Sequence, residues 1–178
     1  VLVVQMDLVT NLNAEIEKRR VEERRRMALE KALAVPLASG RVTLANGRIG
    51  ISGSVLFAFS SAELRPEGQQ LLRSLVHPLR VYTAERGEVL MVSGFTDDRG
   101  VSGRNTKFED NLELSAQRAL TVTRVLIAEG MPPGQVFAAA FGAQQPVASN
   151  ADEAGRAQNR RVEMAPVPRA AGPVAAAR

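Results

Sequence analysis

The chain has 178 residues, of which 45% are apolar, which suffices for one domain with an ordinary core plus an extension. It contains no cysteine and a single histidine, so disulfides, thiolate catalysis, Cys-ligated zinc and sites built from several histidines are excluded. The net charge of +4 permits a nucleic acid, an anionic lipid or an anionic polymer as partner without selecting among them.

The N-terminal segment predicts a charged helix. Residues 5–34 contain neither Gly nor Pro and are rich in Glu, Arg, Leu and Ala. An apolar stripe begins at Val9, Leu12 and Ile16, but charged residues interrupt it further on. This pattern favours a spacer helix that pairs weakly with a second copy over a continuous coiled coil. The arginines of "EKRRVEERRR" stand at helical spacing from glutamates, which is typical of a solvated helix face.

Composition divides the chain into three parts. Pro36 and Gly40 are expected to end the first helix, so residues 1–36 form the spacer. Residues 37–167 carry the alternating and helical patterns of a folded domain. Residues 168–178 are dominated by Ala, Pro and Arg, and we expect a disordered tail there.

The first half of the domain predicts a hairpin and a helix. Asn46-Gly47 joins two short alternating runs, the strongest short hairpin signal. The stretch "VLFAFSSAEL" predicts the start of an apolar strand that ends in a polar turn. Pro66 suits the first turn of the helix that follows. Pro78 lies inside this helix and is expected to kink or split it.

The second half predicts a second helix between strands. The apolar run 88–95 is typical of a central strand that is covered on both faces. A helix over 111–129 is indicated by Asp110 or Asn111 at its start, by Gly130 at its end and by two prolines beyond. Further strands are predicted at 135–142 and 160–167, with a polar loop or short helix between them. The predicted class is α+β, with two helices on one face of a four-stranded mixed sheet after the spacer helix.

An acid and a base are predicted to face one gap. Thr96 and Asp97 stand just past the strand at 88–95. Asn111, Leu114 and Arg118 share one stripe of the second helix, while a separate core stripe contains Leu112, Ala119, Val122 and Leu126. Two interpretations of Asp97 and Arg118 remain open. They pair with each other, as exposed pairs do for about 0–1 kcal/mol, or they bind a group that carries both an ammonium and a carboxylate.

Several motifs resemble one family. They are "LFAFSSAELRPEGQQLL", "GFTDD", "NLELSAQRALTV", "FGAQQP" and "NRRVEM", in this order. Over about residues 48–166 they are similar to the peptidoglycan-binding domain shared by OmpA, the Pal lipoprotein and the MotB stator subunit. The longer loop before "NLELSAQRA" is closer to the MotB-like members, and the charged helix ahead of the domain resembles their linker. The resemblance implies an OmpA-C-like fold.

The resemblance also implies a ligand and its contacts. The ligand is diaminopimelate in the stem peptide of peptidoglycan, whose side chain ends in an ammonium and a carboxylate on one carbon. By motif position, Asp97 would bind the ammonium and Arg118 the carboxylate, with Asn111, Leu114 and Thr96 lining the cleft. Arg160 would lie beside it, unless it forms a surface ion pair on an edge strand. Non-ligand surface roles are expected for Arg156 and Arg161.

Two positions depart from the family pattern or leave a role open. Ser60 stands where OmpA-type members usually carry an acid, which leaves a ligand contact there unassigned. Phe108, in the loop before the second helix, either shields the cleft or packs the loop.

The resemblance implies a non-enzymatic role that needs no cofactor or metal. We expect a periplasmic homodimer that attaches an inner-membrane stator-type complex to the cell wall. A MotA-like partner would be reached through a transmembrane helix that is not part of this sequence. Alternatives are a Pal- or OmpA-type outer-membrane tether, or a stator-like subunit of another system such as phage defence. No aromatic platform or helix-turn-helix supports nucleic-acid binding. A hydrolase that uses Asp97 or Asp98 with Glu109 is the weakest alternative.

Overall fold

The computed structural model describes residues 1–101 and 107–169. Its helices are α1 (Leu2–Ala32), α2 (Ala34–Ala38), α3 (Gly53–Leu56), α4 (Pro66–Arg86), α5 (Asn111–Ala128) and α6 (Glu153–Asn159). Its strands are β1 (Val42–Ala45), β2 (Arg48–Ser52), β3 (Glu88–Phe95), β4 (Val136–Gly142) and β5 (Arg161–Pro168).

The strands form one mixed sheet in the order β1-β2-β5-β3-β4. β3 and β4 run parallel, and the other neighbours are antiparallel. The predicted hairpin is confirmed, since β1 and β2 are joined through Asn46 and Gly47, both with positive φ as a type I′ turn requires. β3 lies between β5 and β4, which confirms its prediction as a central strand. The α+β class is likewise confirmed.

The sheet has five strands, one more than predicted. The stretch expected to start a strand after the hairpin instead begins with the short helix α3, and only Phe57 makes an isolated bridge, to Leu64. The hairpin supplies two strands of the sheet, because β2 pairs with β5 and buries Ile49 and Ile51 in the core. Burial of every second residue therefore attaches the hairpin to the sheet.

The two long helices α4 and α5 contact each other and both contact β3, so they cover one face of the sheet as predicted. α4 runs unbroken past Pro78, so the expectation that proline splits the helix is wrong. Proline removes one hydrogen bond of the helix. The apolar face on either side of it is buried against the sheet and favours one continuous element; it comprises Leu71, Leu72, Leu75 and Leu79.

The N-terminal helix α1 joins the core only at its C-terminal end. Leu29 and Leu33 are buried in the core cluster and Ala28 packs against it, whereas the apolar residues from Val1 to Met27 are exposed. The first helix ends at Ala32, before both residues predicted to end it: Pro36 is buried inside the short helix α2, and Gly40 follows that helix with a positive φ. At the other end β5 continues to Pro168, and the predicted disordered tail lies outside the described residues from position 170 on.

α5 approaches the sheet backbone closely at Gly94. A Cβ at this glycine would lie 2.2 Å from the carbonyl oxygen of Ser115, so no side chain fits between β3 and α5 there. The hydroxyl of Ser115 accepts a hydrogen bond from the Gly142 amide at 3.0 Å, which joins the helix to the end of β4. Leu112 is 55% exposed, and its predicted place in the core stripe is wrong, because this close contact turns Ser115 to the sheet. Ala119, Val122 and Leu126 are buried as predicted.

Candidate ligand-binding cleft

A cleft of about 380 Å³ opens where the end of β3, the start of α5 and the start of α6 meet. The turn that follows α3 closes its remaining side. All six residues singled out from the sequence line this cleft; they are Thr96, Asp97, Asn111, Leu114, Arg118 and Arg160. The structure therefore brings the sequence-predicted residues together in one place.

Asp97 is held by its own loop and by one arginine. Its carboxylate accepts a hydrogen bond from the Arg99 amide at Oδ1 (3.1 Å) and from Nη1 of Arg160 at Oδ2 (2.7 Å). The Thr96 hydroxyl donates to the Asp97 carbonyl oxygen at 2.8 Å, so this threonine fixes the loop backbone. Asp97 is only 8% exposed, and what remains open of its carboxylate faces the cleft it lines.

Arg118 enters the same cleft from α5 and is 7% exposed. Its Nε donates to the Ser61 carbonyl oxygen at 2.9 Å, and its guanidinium carbon lies 5.1 Å from the centre of the Phe57 ring. Within the described residues, no carboxylate lies within salt-bridge distance of this guanidinium. Burial lowers the pKa of Arg118 to about 10; repulsion from Arg160 adds to this, and attraction by Asp97 opposes it.

Asp97 and Arg118 therefore do not form the direct pair that one interpretation of the sequence allowed. The partner of Asp97 is Arg160, whose second terminal nitrogen, Nη2, donates to Oε1 of Glu153 at 2.5 Å. Arg160 forms ion pairs, as one alternative expected, but it immediately precedes β5, which lies between β2 and β3, so the edge-strand part of that alternative is wrong. The hydrogen bond to Glu153 is the main reason that the pKa of Arg160 is raised, with Asp97 contributing and burial opposing.

Asn111 and Leu114 have different roles on the first turns of α5. The Asn111 amide nitrogen donates to the carbonyl oxygens of Arg99 at 2.7 Å and Asp97 at 3.3 Å, so it fixes the loop that carries the acid. Leu114 is 7% exposed and supplies an apolar wall. The side chain of Asp110 accepts from the Glu113 amide at 2.8 Å, which confirms the predicted cap and sets where this helix begins.

Sequence reasoning missed Glu153 and the carbonyl of Ser61. Glu153 is the first residue of α6, directly after the N-cap Asp152, so a capping signal within the polar stretch 142–159 marks its position. The Ser61 carbonyl belongs to the turn after α3, and no side-chain pattern reveals a backbone acceptor. The Ser61 carbonyl binds Arg118 and the Glu153 carboxylate binds Arg160, so these two groups fix where both guanidinium groups lie.

The two positions left open by the sequence lie in different places. Ser60 lines the cleft with a φ of 52°, a left-handed conformation that serines adopt rarely. Phe108 is buried, and it is not one of the residues that line the cleft. Its placement favours loop packing over shielding of the cleft.

The remaining arginines of the C-terminal motif have structural partners. Arg156 pairs with Glu153 at 3.2 Å and also donates to the Asn150 carbonyl oxygen. Arg161 contacts Glu163 at 2.8 Å and stacks over the Phe95 ring at 3.8 Å. Arg161 is 8% exposed, so it is buried rather than on the surface as expected, although neither residue lines the cleft.

A larger and more open groove of about 720 Å³ separates α1 from the sheet. Charged residues of α1 border it together with Met91 and Ala165 of the sheet. None of the six sequence-predicted residues lines this groove. The convergence of buried charges therefore distinguishes the smaller cleft.

The five-stranded sheet, its two covering helices and the charged cleft at one end of β3 define an α+β binding domain. The sequence model of the OmpA family matches residues 56–160, and the chain belongs to the OmpA family. A curated relative, the peptidoglycan-associated lipoprotein of Pseudomonas aeruginosa, is 34% identical over 61% of this chain and 58% of its own length. The chain spans between 31% and 59% of the length of the curated relatives it matches.

Two solved structures resemble the chain over most of its length. A MotB-like protein from Desulfovibrio vulgaris superposes with a TM-score of 0.72 at 30% identity, over 85% of this chain and 98% of its own. The cell wall anchor of the type VI secretion system from Pseudomonas aeruginosa superposes with a TM-score of 0.68 at 30% identity, over 79% of this chain and 97% of its own. The fold is therefore shared with a MotB-like protein and with a cell wall anchor.

Proposed function

We propose that this chain is a non-catalytic peptidoglycan-binding domain whose ligand is the side-chain terminus of diaminopimelate in the stem peptide. The observation that carries this proposal is the cleft in which Asp97 and Arg118 stand on two different elements without pairing with each other. Membership of the OmpA family and the names of its peptidoglycan-associated relatives support it.

The arrangement suits a group that carries both charges on one carbon. The ammonium would bind the carboxylate of Asp97. The carboxylate would bind Arg118, since the hydrogen bonds of the described residues use only its Nε and leave the two terminal nitrogens for a bidentate contact. Leu114 would contact the methylene chain. Thr96 and Asn111 would act through the loop that they fix, with Arg160 beside the ligand.

Affinity for a single ligand is expected to be modest. Hydrogen bonds to charged groups contribute about 1.5–3 kcal/mol each. Two or three of them, less the cost of ordering the ligand, correspond to a Kd between about millimolar and micromolar. A domain that attaches a complex to a polymer with many identical sites can use contacts of this strength, because several domains act together.

At the level of the whole protein, the proposed role is to attach an inner-membrane stator-type complex to the wall from the periplasm. The resemblance to the MotB-like structure over nearly all of that chain supports this role. The comparable resemblance to the type VI secretion anchor supports a second candidate, the wall attachment of a secretion machine. The lipoprotein relative keeps a Pal- or OmpA-type outer-membrane tether as a third.

We propose further that the protein acts as a homodimer and joins a MotA-like membrane partner through a helix outside this sequence. Val9, Leu12 and Ile16 form a stripe on α1 and are 56%, 58% and 40% exposed, which supports pairing with a second copy. None of the helices in residues 1–101 and 107–169 is both long and apolar enough for a membrane span. Two linked domains would hold the wall more firmly than one.

A pull-down on purified peptidoglycan tests the binding function. Wild type should sediment with the wall polymer, and free meso-diaminopimelate should compete. Lysine should compete poorly, because its side-chain terminus lacks the carboxylate that Arg118 would bind. Retention of both Asp97→Asn and Arg118→Ala at wild-type levels would remove the proposed site.

Sedimentation equilibrium tests the proposed dimer. The chain, extended by the membrane helix in detergent, should sediment as a dimer or as part of a larger complex. The substitution Leu12→Gln on the exposed stripe should weaken self-association of the chain and, with it, retention on the wall, while the affinity of each domain for free diaminopimelate stays unchanged. If the chain sediments as a strict monomer even with the membrane helix attached, the support for a stator-type complex is removed.

A further inference from the structure

Arg160 links two carboxylates across the mouth of the cleft. Its Nη1 lies 2.7 Å from Oδ2 of Asp97, and its Nη2 lies 2.5 Å from Oε1 of Glu153. Asp97 is nearly buried, whereas the side chain of Glu153 is 64% exposed. The guanidinium of Arg160 thus pairs with both a buried acid, Asp97, and an exposed acid, Glu153.

The ion pair with Arg160 opposes the binding proposed for Asp97. Each carboxylate oxygen already accepts one hydrogen bond, Oδ1 from the Arg99 amide and Oδ2 from Arg160, so a ligand ammonium would share the negative charge of Asp97 with the guanidinium. Arg160 also stands close enough to Arg118 to disfavour its charge. The position of Arg160 therefore affects binding of the ligand ammonium, through Asp97, and of the ligand carboxylate, through Arg118.

The short helix α6 fixes the outer acid. Asp152 caps this helix by accepting from the Gly155 amide at 2.7 Å, and Glu153 is its first residue. Arg160 follows directly after its last residue, seven positions on, which places the two side chains about two helical turns apart on one face. The two ends of α6 thus present the acid and the arginine to each other.

We propose that Glu153 is a positioning residue that holds Arg160 and so leaves Asp97 available to the ligand ammonium. The inference rests on the proposed function and extends it to a residue outside the ligand contacts. Without Glu153, the full charge of Arg160 would fall on Asp97, and the ammonium would compete less well. Glu153 itself lines the cleft, so its direct charge effect on the ligand must be separated from the effect that passes through the Arg160 contact.

A double-mutant cycle tests this role. Binding of meso-diaminopimelate is measured by NMR titration for wild type, Glu153→Gln, Arg160→Gln and the double variant, with thermal melts to confirm folding. Glu153→Gln should raise the Kd roughly two- to fivefold, as expected for a partly exposed ion pair. In the Arg160→Gln background the same substitution should change nothing, because the residue it acts through is gone.

A matched control separates this effect from net charge. Glu129 pairs with Arg73 beyond the opposite end of α5, at 3.0 Å, so Glu129→Gln changes the charge equally without touching the cleft. It should bind as wild type does. A second readout needs no ligand: the pKa of Glu153, which the hydrogen bond from Arg160 lowers, should rise in Arg160→Gln.

The outcomes distinguish the inference from the function it rests on. Failure of wild type to bind the ligand or the wall would overturn the proposed function and this role with it. Binding by wild type together with unchanged binding by Glu153→Gln would overturn the role alone. An equal loss of affinity from Glu153→Gln in the wild-type and Arg160→Gln backgrounds would also overturn the role alone. Complete loss of binding in Arg160→Gln would show that Arg160 contacts the ligand and is not a competitor for Asp97.

Discussion

Asp97 and Arg160 are joined at 2.7 Å across 63 residues of sequence, while Arg118, in the same cleft, is bonded to a backbone carbonyl instead. The Nε of Arg118 donates to Ser61, and this bond directs the guanidinium along the turn after α3. The acid and the base that the sequence singled out are therefore kept apart by a third charged residue on one side and a carbonyl on the other. This separation leaves room for a ligand between them.

The carboxylate of Asp97 is expected to be the main determinant of ammonium binding. Asp97→Asn keeps the shape and the Arg99 contact but removes the charge, so binding of diaminopimelate should weaken about tenfold or more, as expected for one charge-assisted hydrogen bond. Wall pull-down and NMR titration measure this. Asp98→Asn is the control, because Asp98 is exposed and carries the same charge. Equal losses in the two variants would assign the effect to net charge.

The planar fork of Arg118 is expected to matter beyond its charge. Arg118→Lys keeps one positive charge but cannot bond Ser61 and a carboxylate with the same geometry. Affinity for diaminopimelate should fall about tenfold, while competition by lysine should change little. Arg124 is exposed on the same helix, so Arg124→Lys should leave the affinity for diaminopimelate and the competition by lysine unchanged. If Arg118→Lys binds as wild type does, the bidentate contact is wrong.

The contact between β3 and α5 is expected to be intolerant of a methyl group. In Gly94→Ala the new Cβ would lie 2.2 Å from the Ser115 carbonyl oxygen, so the helix must move off the sheet. Urea unfolding should show a loss of about 3 kcal/mol. Gly100→Ala makes a suitable control, because a Cβ there meets nothing within 4 Å and its φ is not left-handed. A small effect at both positions would mean that the helix can shift freely.

The ion pair of Glu153 should make part of the stability depend on acid pH. The hydrogen bond from Arg160 lowers the pKa of Glu153 below its ordinary value of 4.5. A lowered folded-state pKa stabilises the protein above the ordinary pKa, and this contribution is lost as pH falls through the folded value. The difference in urea midpoint between wild type and Glu153→Gln should therefore be present at pH 7 and shrink below pH 4.5. A constant difference would indicate that the charge of Glu153 is not involved.

Local signals predicted much of the fold. The cap at Asp110 and the glycine after the helix gave α5 to within one residue of its observed end, since both are short-range features of the chain. Asn46-Gly47 gave the hairpin for the same reason. Attachment of the hairpin to β5 was not predictable, because β-pairing between distant segments depends on tertiary packing. The burial of Ser115 in place of Leu112 likewise follows from the close approach at Gly94.

The site was predictable in membership but not in pairing. Residue types and spacing selected five of the lining residues, and the family resemblance added Arg160; the five are Thr96, Asp97, Asn111, Leu114 and Arg118. Spacing cannot reveal that Arg160 reaches Asp97, because the two are 63 positions apart and meet only in the folded sheet. Glu153 escaped notice because it lies in a polar stretch where acids are usually solvated.

The contact between Gly94 and Ser115 also sets what the cleft can select. Asp97 lies three residues beyond Gly94 on the chain, and Arg118 lies three residues beyond Ser115. With the two backbones in close contact at that point, the fold fixes the spacing between the backbone positions that carry the acid and the base. A ligand would then be selected by how well the distance between its two charges matches this spacing, in addition to the charges that it carries.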